Sequence, residues 1–219
     1  MKKLLIDTSG IEISAGIFEG VNEKALVSVE ARREYNRILM PMIEKILRET
    51  GLDSCDIDLF GAALGPGSFT GIRVGVAAMK GMAQATGKKF AGVSTLDIIA
   101  ASAGGAGEIM AVIGAGRNEF YAAGYEGGVL KTPYMLLSKE EALIEAEKGV
   151  SFALLEREPY AGMLPEKSIK YRIKGVSMQV FNDIIEKAGA QGSMLDASPV
   201  YIRKSEAEIV LLKKQKGGL

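Results

Sequence analysis

One stretch of this chain nearly repeats itself, and that repeat limits the fold more than any composition does. Residues 7–20 read Asp-Thr-Ser-Gly-Ile-Glu-Ile-Ser-Ala-Gly-Ile-Phe-Glu-Gly, and residues 114–127 read Gly-Ala-Gly-Arg-Asn-Glu-Phe-Tyr-Ala-Ala-Gly-Tyr-Glu-Gly. At an offset of 107 residues, Glu12 meets Glu119, Ala15 meets Ala122, Glu19 meets Glu126 and Gly20 meets Gly127, with Phe18 against Tyr125. Two strands and a turn of shared composition can also produce four identities in fourteen positions. Both segments, however, follow an apolar run, 4–6 in one case and 109–113 in the other. A chain of 219 residues is long enough for two related lobes, each with its own core. Duplication is therefore the expectation.

The periodicities give each half its elements. Ile11, Ile13, Ala15 and Ile17 alternate at a strand's period of two, after a first short strand and before a third at 25–31. Ile38, Leu39, Met42, Ile43, Ile46 and Leu47 then repeat at helical spacing up to Gly51. Pro41 is comfortable only in a first helical turn, so this helix is expected to start near Met40. A strand at 57–64, a helix at 72–85, a strand at 90–93 and a helix capped by Thr95 complete the order βββαβαβα. The second half offers a capping box at Ser138 to Glu141, strands at 150–155 and near 169–173, and a helix at 177–188. A second capping box opens at Ser205. The expected organisation is a first lobe at 1–103 and a second, degenerate lobe at 104–204, with a C-terminal helix at 205–215 packing back on the first.

What the chain lacks narrows the chemistry. There is no His, which removes the commonest general base and the commonest transition-metal ligand, so no metal site is expected. The single Cys, Cys55, lies in a polar stretch, reads as an incidental thiol and fits a reducing compartment. Lys plus Arg equals Asp plus Glu at 27 each, so phosphate neutralisation supplies little grip on nucleic acid. The apolar start is interrupted by Asp7, too early for a signal peptide, and no apolar run reaches the length of a membrane span. A cytoplasmic protein is expected.

Two loops carry candidate chemistry. Asp7, Thr8 and Ser9 end the first strand; by themselves they read as turn chemistry, or alternatively as a hairpin presenting hydroxyls and amides to a phosphate. The stretch Gly-Pro-Gly-Ser-Phe-Thr-Gly-Ile-Arg-Val-Gly at 65–75 joins a strand to a helix, where an anion is favoured. It is neither a Walker loop, since no Gly-Lys-Ser/Thr closes it, nor the dinucleotide fingerprint, since Gly65, Gly67 and Gly71 are spaced wrongly.

As a signature the second loop says more. It resembles the hallmark of the TsaB (YeaZ) family, and three further segments agree: Ile-Asp-Thr-Ser from Ile6, Gly-Val-Ser-Thr-Leu from Gly92, and Pro-Val-Tyr-Ile-Arg-Lys-Ser-Glu-Ala-Glu from Pro199. The resemblance spans the chain and is loose between residues 129 and 198. It implies an α/β, actin-like (ASKHA, RNase H-like) fold of two lobes with mixed sheets. It also implies a scaffold or activator that pairs with a catalytic TsaD-like paralogue carrying a metal on a His motif. A TsaE-like ATPase joins them, for threonylcarbamoylation of the adenosine next to the anticodon in tRNA. The nucleotide site it implies comprises Asp7, Thr8, Ser9, Gly65, Gly67 and Ser68. No cofactor is expected to be tightly bound, with ATP and Mg²⁺ at the partner interface and tRNA held only through the complex.

The chain departs from the family pattern twice. Many relatives have His-Ser-Glu ahead of Leu-Leu-Pro, where this chain reads Tyr-Asn-Arg-Ile-Leu-Met-Pro from Tyr35, and Gly114 begins the second lobe's loop where many have Asp-Ala-Arg. An actin-type ATPase uses carboxylates in both phosphate loops to position Mg²⁺ and water. Asp7 without a counterpart at Gly114 weighs against a stand-alone ATPase or phosphotransferase, and the absence of His weighs against a metallopeptidase. The helix at 72–85 is apolar on most sides, which a helix buried from two directions also shows. The sharper expectation is an exposed strip for TsaD, or for a homodimer, formed by Ile38, Leu39, Met42, Ile72, Gly75, Val76, Met79 and Met82.

Overall fold

A computed structural model describes residues 1–31, 34–104, 107–156, 159–190 and 198–202. The first sheet holds β1 (Lys2–Asp7), β2 (Glu12–Glu19), β3 (Asn22–Glu30), β4 (Leu59–Ala63) and β5 (Lys89–Val93), in the spatial order β3-β2-β1-β4-β5. The first three strands are antiparallel, and β4 and β5 join β1 in parallel. The second sheet holds β6 (Glu108–Gly116), β7 (Glu119–Glu126), β8 (Val129–Leu130), β9 (Met135–Ser138), β10 (Ser151–Leu155) and β11 (Ile169–Ile173). Its order is β11-β10-β6-β7-β8, with β9 also on β7, which repeats the first. The fold is the actin-like (ASKHA) α/β architecture that the resemblance implies, with the duplication expected from the repeat.

The repeat holds in detail, since β2 and β7 begin and end at positions 107 residues apart. Two differences make the second lobe degenerate. Its third strand is broken into β8 and β9, both paired to β7. Between β10 and β11 stand two single-turn 3₁₀ helices, Ala161–Met163 and Glu166–Ser168, where the first lobe has a long α-helix. A bulge between Gly114 and Gly116 also shifts the second hairpin, so Gly114 lies opposite Phe120.

Helices α1 (Tyr35–Thr50) and α2 (Phe69–Thr86) cover one face of the first sheet, on a core that includes Leu4, Ile6, Ile13, Ala15 and Phe60. The start of α1 differs from expectation, because Pro41 lies inside the helix rather than in its first turn. Pro41 is exposed, as is Arg37, whose carbonyl loses its helical partner. Tyr35 fixes the earlier start: its ring is buried and its hydroxyl donates to the Gly10 carbonyl at 2.9 Å. Helix α4 (Lys139–Glu147), with its Ser138–Glu141 capping box, covers the equivalent face of the second sheet.

The remaining helices cross over between the two sheets. Helix α3 (Thr95–Ser102) follows the first sheet but packs Leu96, Ile99 and Ala100 on β6, β7 and β10 of the second. Helix α5 (Met178–Ala190) follows the second sheet but packs Met178, Phe181 and Ile185 on Leu5, Phe18 and Val93 of the first. Each sheet's second apolar face is thus closed by the other half's last helix, and neither half has a complete core alone. Polar contacts pin both crossings. Tyr125 and Tyr134 donate to Asp97 of α3 at 2.6 and 2.9 Å, and buried Lys3 of β1 pairs with Glu186 of α5. Burial pushes the Asp97 carboxyl up against the hydrogen bonds from Tyr125 and Tyr134, and the Lys3 ammonium down against the charge of Asp183; it also pushes the Tyr125 phenol up, and the Asp97 charge and hydrogen bond add to that rise. The cap of α3 is Ser94, whose hydroxyl accepts from the Leu96 amide, and not Thr95. The expected helix at 205–215 and its capping box lie outside the described residues.

Candidate functional site

The ends of β1 and β6, the first residues of each repeat, face one another across a cleft between the sheets. The cavity there measures about 630 Å³ and takes lining residues from both lobes. Asp7 and Gly114, the two copies of one repeat position, both line it. Asp7 is 3% exposed, and its Oδ1 accepts from the Ser9 amide at 2.9 Å. Burial raises the pKa of this carboxyl, and the hydrogen bonds from Ser9 oppose the rise.

Of the six residues expected to hold a nucleotide, Asp7, Ser9, Gly67 and Ser68 line the cleft. Thr8 and Gly65 are instead used internally: the Thr8 hydroxyl donates to the Gly71 carbonyl at 2.8 Å, and the Gly65 carbonyl accepts from the Thr95 amide at 2.8 Å and from the Ser94 hydroxyl at 3.1 Å. The glycines of the 65–75 loop serve the same packing. A Cβ at Gly67 would lie 2.3 Å from the Ser9 carbonyl oxygen, one at Gly71 2.0 Å from that of Thr8, and one at Gly75 2.2 Å from the Thr8 hydroxyl. The spacing of four residues sets all three toward the Thr8–Ser9 turn and lets helix and hairpin touch backbone to backbone. Three amides of this region are spent on the chain's own acceptors. The Ser9 amide goes to Asp7, the Ser68 amide to the Ser9 carbonyl at 2.6 Å, and the Gly71 amide to the Ser68 hydroxyl at 3.2 Å.

Sequence reasoning missed the rest of the cleft. Asp7 pairs across the sheet with Ser14, and Ser14 with Ser28, so the three form one polar row on the cleft floor, with the two serine hydroxyls 2.8 Å apart. The alternation of β1, β2 and β3 carries this row once the hairpin registers are known. Tyr35, Thr95 and Val176 also line the cleft.

A second grouping joins two of the sequence motifs. Val200 donates its amide to the Leu64 carbonyl at 2.9 Å, while Arg73 Nε donates to the Tyr201 hydroxyl at 3.2 Å. The Arg73 guanidinium sits 3.7 Å from the centre of the Phe69 ring, which lies 5.8 Å from that of Tyr201. The segment at 199–202 therefore braces the start of α2.

The expected apolar strip is not at the surface. Leu39, Met42, Ile72, Gly75, Val76 and Met79 are buried in the first lobe's own core, and only Ile38 and Met82 are half-buried. The sheet takes one side of α2 and α1 takes another, which accounts for its apolar sequence. What α2 shows to solvent is Phe69, Thr70, Arg73, Ala77, Lys80, Gly81, Gln84 and Ala85, flanked by half-buried Val74, Ala78 and Met82.

Comparison with known proteins gives these features a family. Residues 26–191 match the family model described as TsaD, tRNA N6-adenosine threonylcarbamoyltransferase. The tRNA threonylcarbamoyladenosine biosynthesis protein TsaB of Escherichia coli K12 is 33% identical over 129 residues, covering 58% of this chain and 55% of that protein. The Haemophilus influenzae TsaB protein is 34% identical over 122 residues, covering 54% and 51%. The match thus spans about half the length of these curated relatives. The solved structure of YeaZ from Pseudomonas aeruginosa superposes with a TM-score of 0.74 at 23% identity, over 91% of this chain and 99% of that one, which shows a shared fold.

Proposed function

The chain belongs to the tRNA N6-adenosine threonylcarbamoyltransferase family, with the TsaB (YeaZ) type of protein, and we propose that it is a non-catalytic subunit that pairs with a TsaD-type enzyme to modify adenosine in tRNA. The observation that carries this reading is the asymmetry of the cleft. Asp7 and its repeat counterpart Gly114 both line the cleft, so among the described lining residues only the first lobe offers a magnesium-bound triphosphate a carboxylate. The Ser9, Ser68 and Gly71 amides of the first lobe already have acceptors within the chain. With no His in the chain, a His-held metal has no ligands here. Catalytic metal, donor and most of the tRNA contact then belong to the partner, and ATP with Mg²⁺ binds where the two subunits and a TsaE-type ATPase meet.

The pairing surface is the outer face of α1 and α2 rather than their buried side chains. Ala77 and Gly81 are small and exposed, and a side chain added at Gly81 would meet nothing within 4 Å. Small residues let a partner helix approach closely, while Met40, 41% exposed, and Met82 supply adaptable contacts. The same face would serve a homodimer when TsaD is missing. The test is co-elution of the purified chain with a TsaD-type protein, using Ala77→Glu and Gly81→Asp with folding followed by circular dichroism. Folded variants that no longer co-elute support the proposal; folded variants that still assemble refute the surface.

A further inference from the structure

We propose that the cleft between the two sheets binds an uncharged small molecule joining a planar ring to a polyol, as a nucleoside does, and rejects its phosphorylated forms. At about 630 Å³ the cavity lies within the range of small-molecule sites. It offers both apolar and polar surface, with Ile11 and Pro66 of the first lobe adding to the apolar part. Ile113, Leu155 and Val176 come from the second lobe and give an apolar side for a ring. The first lobe supplies the polar row of Asp7, Ser14 and Ser28, suited to hydroxyl groups that both donate and accept.

Thr95 indicates that this arrangement is incomplete by itself. It lines the cavity, it is 0% exposed, and its hydroxyl has no hydrogen-bond partner. A buried hydroxyl left without a partner costs free energy that a ligand hydroxyl or ring nitrogen would recover. Its neighbours leave it there for a structural reason: Ser94 takes the helix cap and the Gly65 carbonyl takes the Thr95 amide, so only the side chain is unspent.

Charge sets the preference against phosphate. Among the described residues, the charged groups on the lining are Asp7, Glu12 and exposed Lys174. An anion placed on the floor of the cleft meets the Asp7 carboxyl group, and the Ser9, Ser68 and Gly71 amides near it already have acceptors. The inference does not depend on pairing with a TsaD-type enzyme.

Calorimetric titration of the full-length protein with adenosine, AMP and Mg-ATP tests it. Adenosine is expected to bind one to one, with the two phosphorylated probes weaker by roughly tenfold or more, the worth of about one good hydrogen bond. Thr95→Val keeps the shape and removes the unpartnered hydroxyl. Its melting temperature is expected to equal or exceed that of the wild type while its adenosine affinity falls by a similar factor. No binding of adenosine at millimolar concentration overturns the proposal, as does Mg-ATP binding as tightly as adenosine. Unchanged affinity in Thr95→Val, or a loss of stability without loss of affinity, overturns the role given to Thr95 and with it the site.

Discussion

If the glycines of the 65–75 loop and early α2 exist to let helix and hairpin touch, adding one methyl group at Gly75 should damage the fold in a way that trimming Thr8 repairs. A Cβ at Gly75 would lie 2.2 Å from the Thr8 hydroxyl and 3.2 Å from its Cγ2, with Ile6 Cδ1 also at 3.2 Å. Overpacking of this kind costs about 3 kcal/mol, and the better helix propensity of alanine returns about 1 kcal/mol. The net loss of about 2 kcal/mol corresponds to a fall of roughly 4–8 °C in Tm for a chain of this size. Removing the Thr8 side chain in Gly75→Ala/Thr8→Ala clears both close Thr8 atoms. The double variant should then be more stable than the sum of the single ones predicts, by about 1 kcal/mol or more. Gly71 provides the control, because its Cβ would meet the Thr8 carbonyl oxygen at 2.0 Å, a backbone atom that Thr8→Ala leaves in place. Gly71→Ala should therefore be destabilising and stay so in the Thr8→Ala background. Gly81→Ala, on the same helix but facing open space, should raise stability by up to about 1 kcal/mol. Urea and thermal denaturation measure all of these. A Gly75→Ala protein as stable as the wild type, or Thr8→Ala rescuing Gly71→Ala as well as Gly75→Ala, would refute the packing account.

Pro41→Ala should stabilise the protein by about 1–3 kcal/mol, because it restores an amide to an exposed position inside α1; a lower Tm would show that the proline fits a bend the helix needs. Asp7 and Asp97 both have pKa values raised by burial, so the folded protein holds more protons than the unfolded chain between the ordinary aspartate value and the raised one. Their contribution is full below the unfolded value and is lost as pH rises through the folded value. Asp97→Asn should therefore give a flatter dependence of Tm on pH through that window than the wild type; an unchanged slope would assign the effect to other groups.

The repeat at 7–20 and 114–127 made the two-lobed fold legible, because strand pattern and turn recur together and β2 and β7 keep the same offset at both ends. The crossing of α3 and α5 was not legible. Ile98 and Ile99 are apolar whichever sheet they cover, and nothing local in Met178, Phe181 and Ile185 says that their partners are Leu5 and Phe18. The sequence of α2 was misleading for a related reason. A helix covered by a sheet and by α1 carries the same composition as one covered by a sheet and a partner, so Met79 reads alike in both cases although it is fully buried. The family loop was legible as a signature, while the use of Gly71 and Gly75 against Thr8 needed the fold. Pro41 shows a rule of local structure yielding to tertiary anchoring, since Tyr35 holds the first turn of α1 to Gly10.

The central claim, that this chain supports threonylcarbamoylation without performing it, is tested most directly by reconstituting tRNA modification with a TsaD-type subunit, a TsaE-type ATPase and the threonylcarbamoyl donor. The assay runs with no copy of this chain, with the wild type, and with an Asp7→Asn variant confirmed to be folded and to co-elute with the partner. Activity that requires the chain and is retained by Asp7→Asn is the predicted result. Loss of modification in a folded, assembled Asp7→Asn complex would contradict the account and place Asp7 in the chemistry.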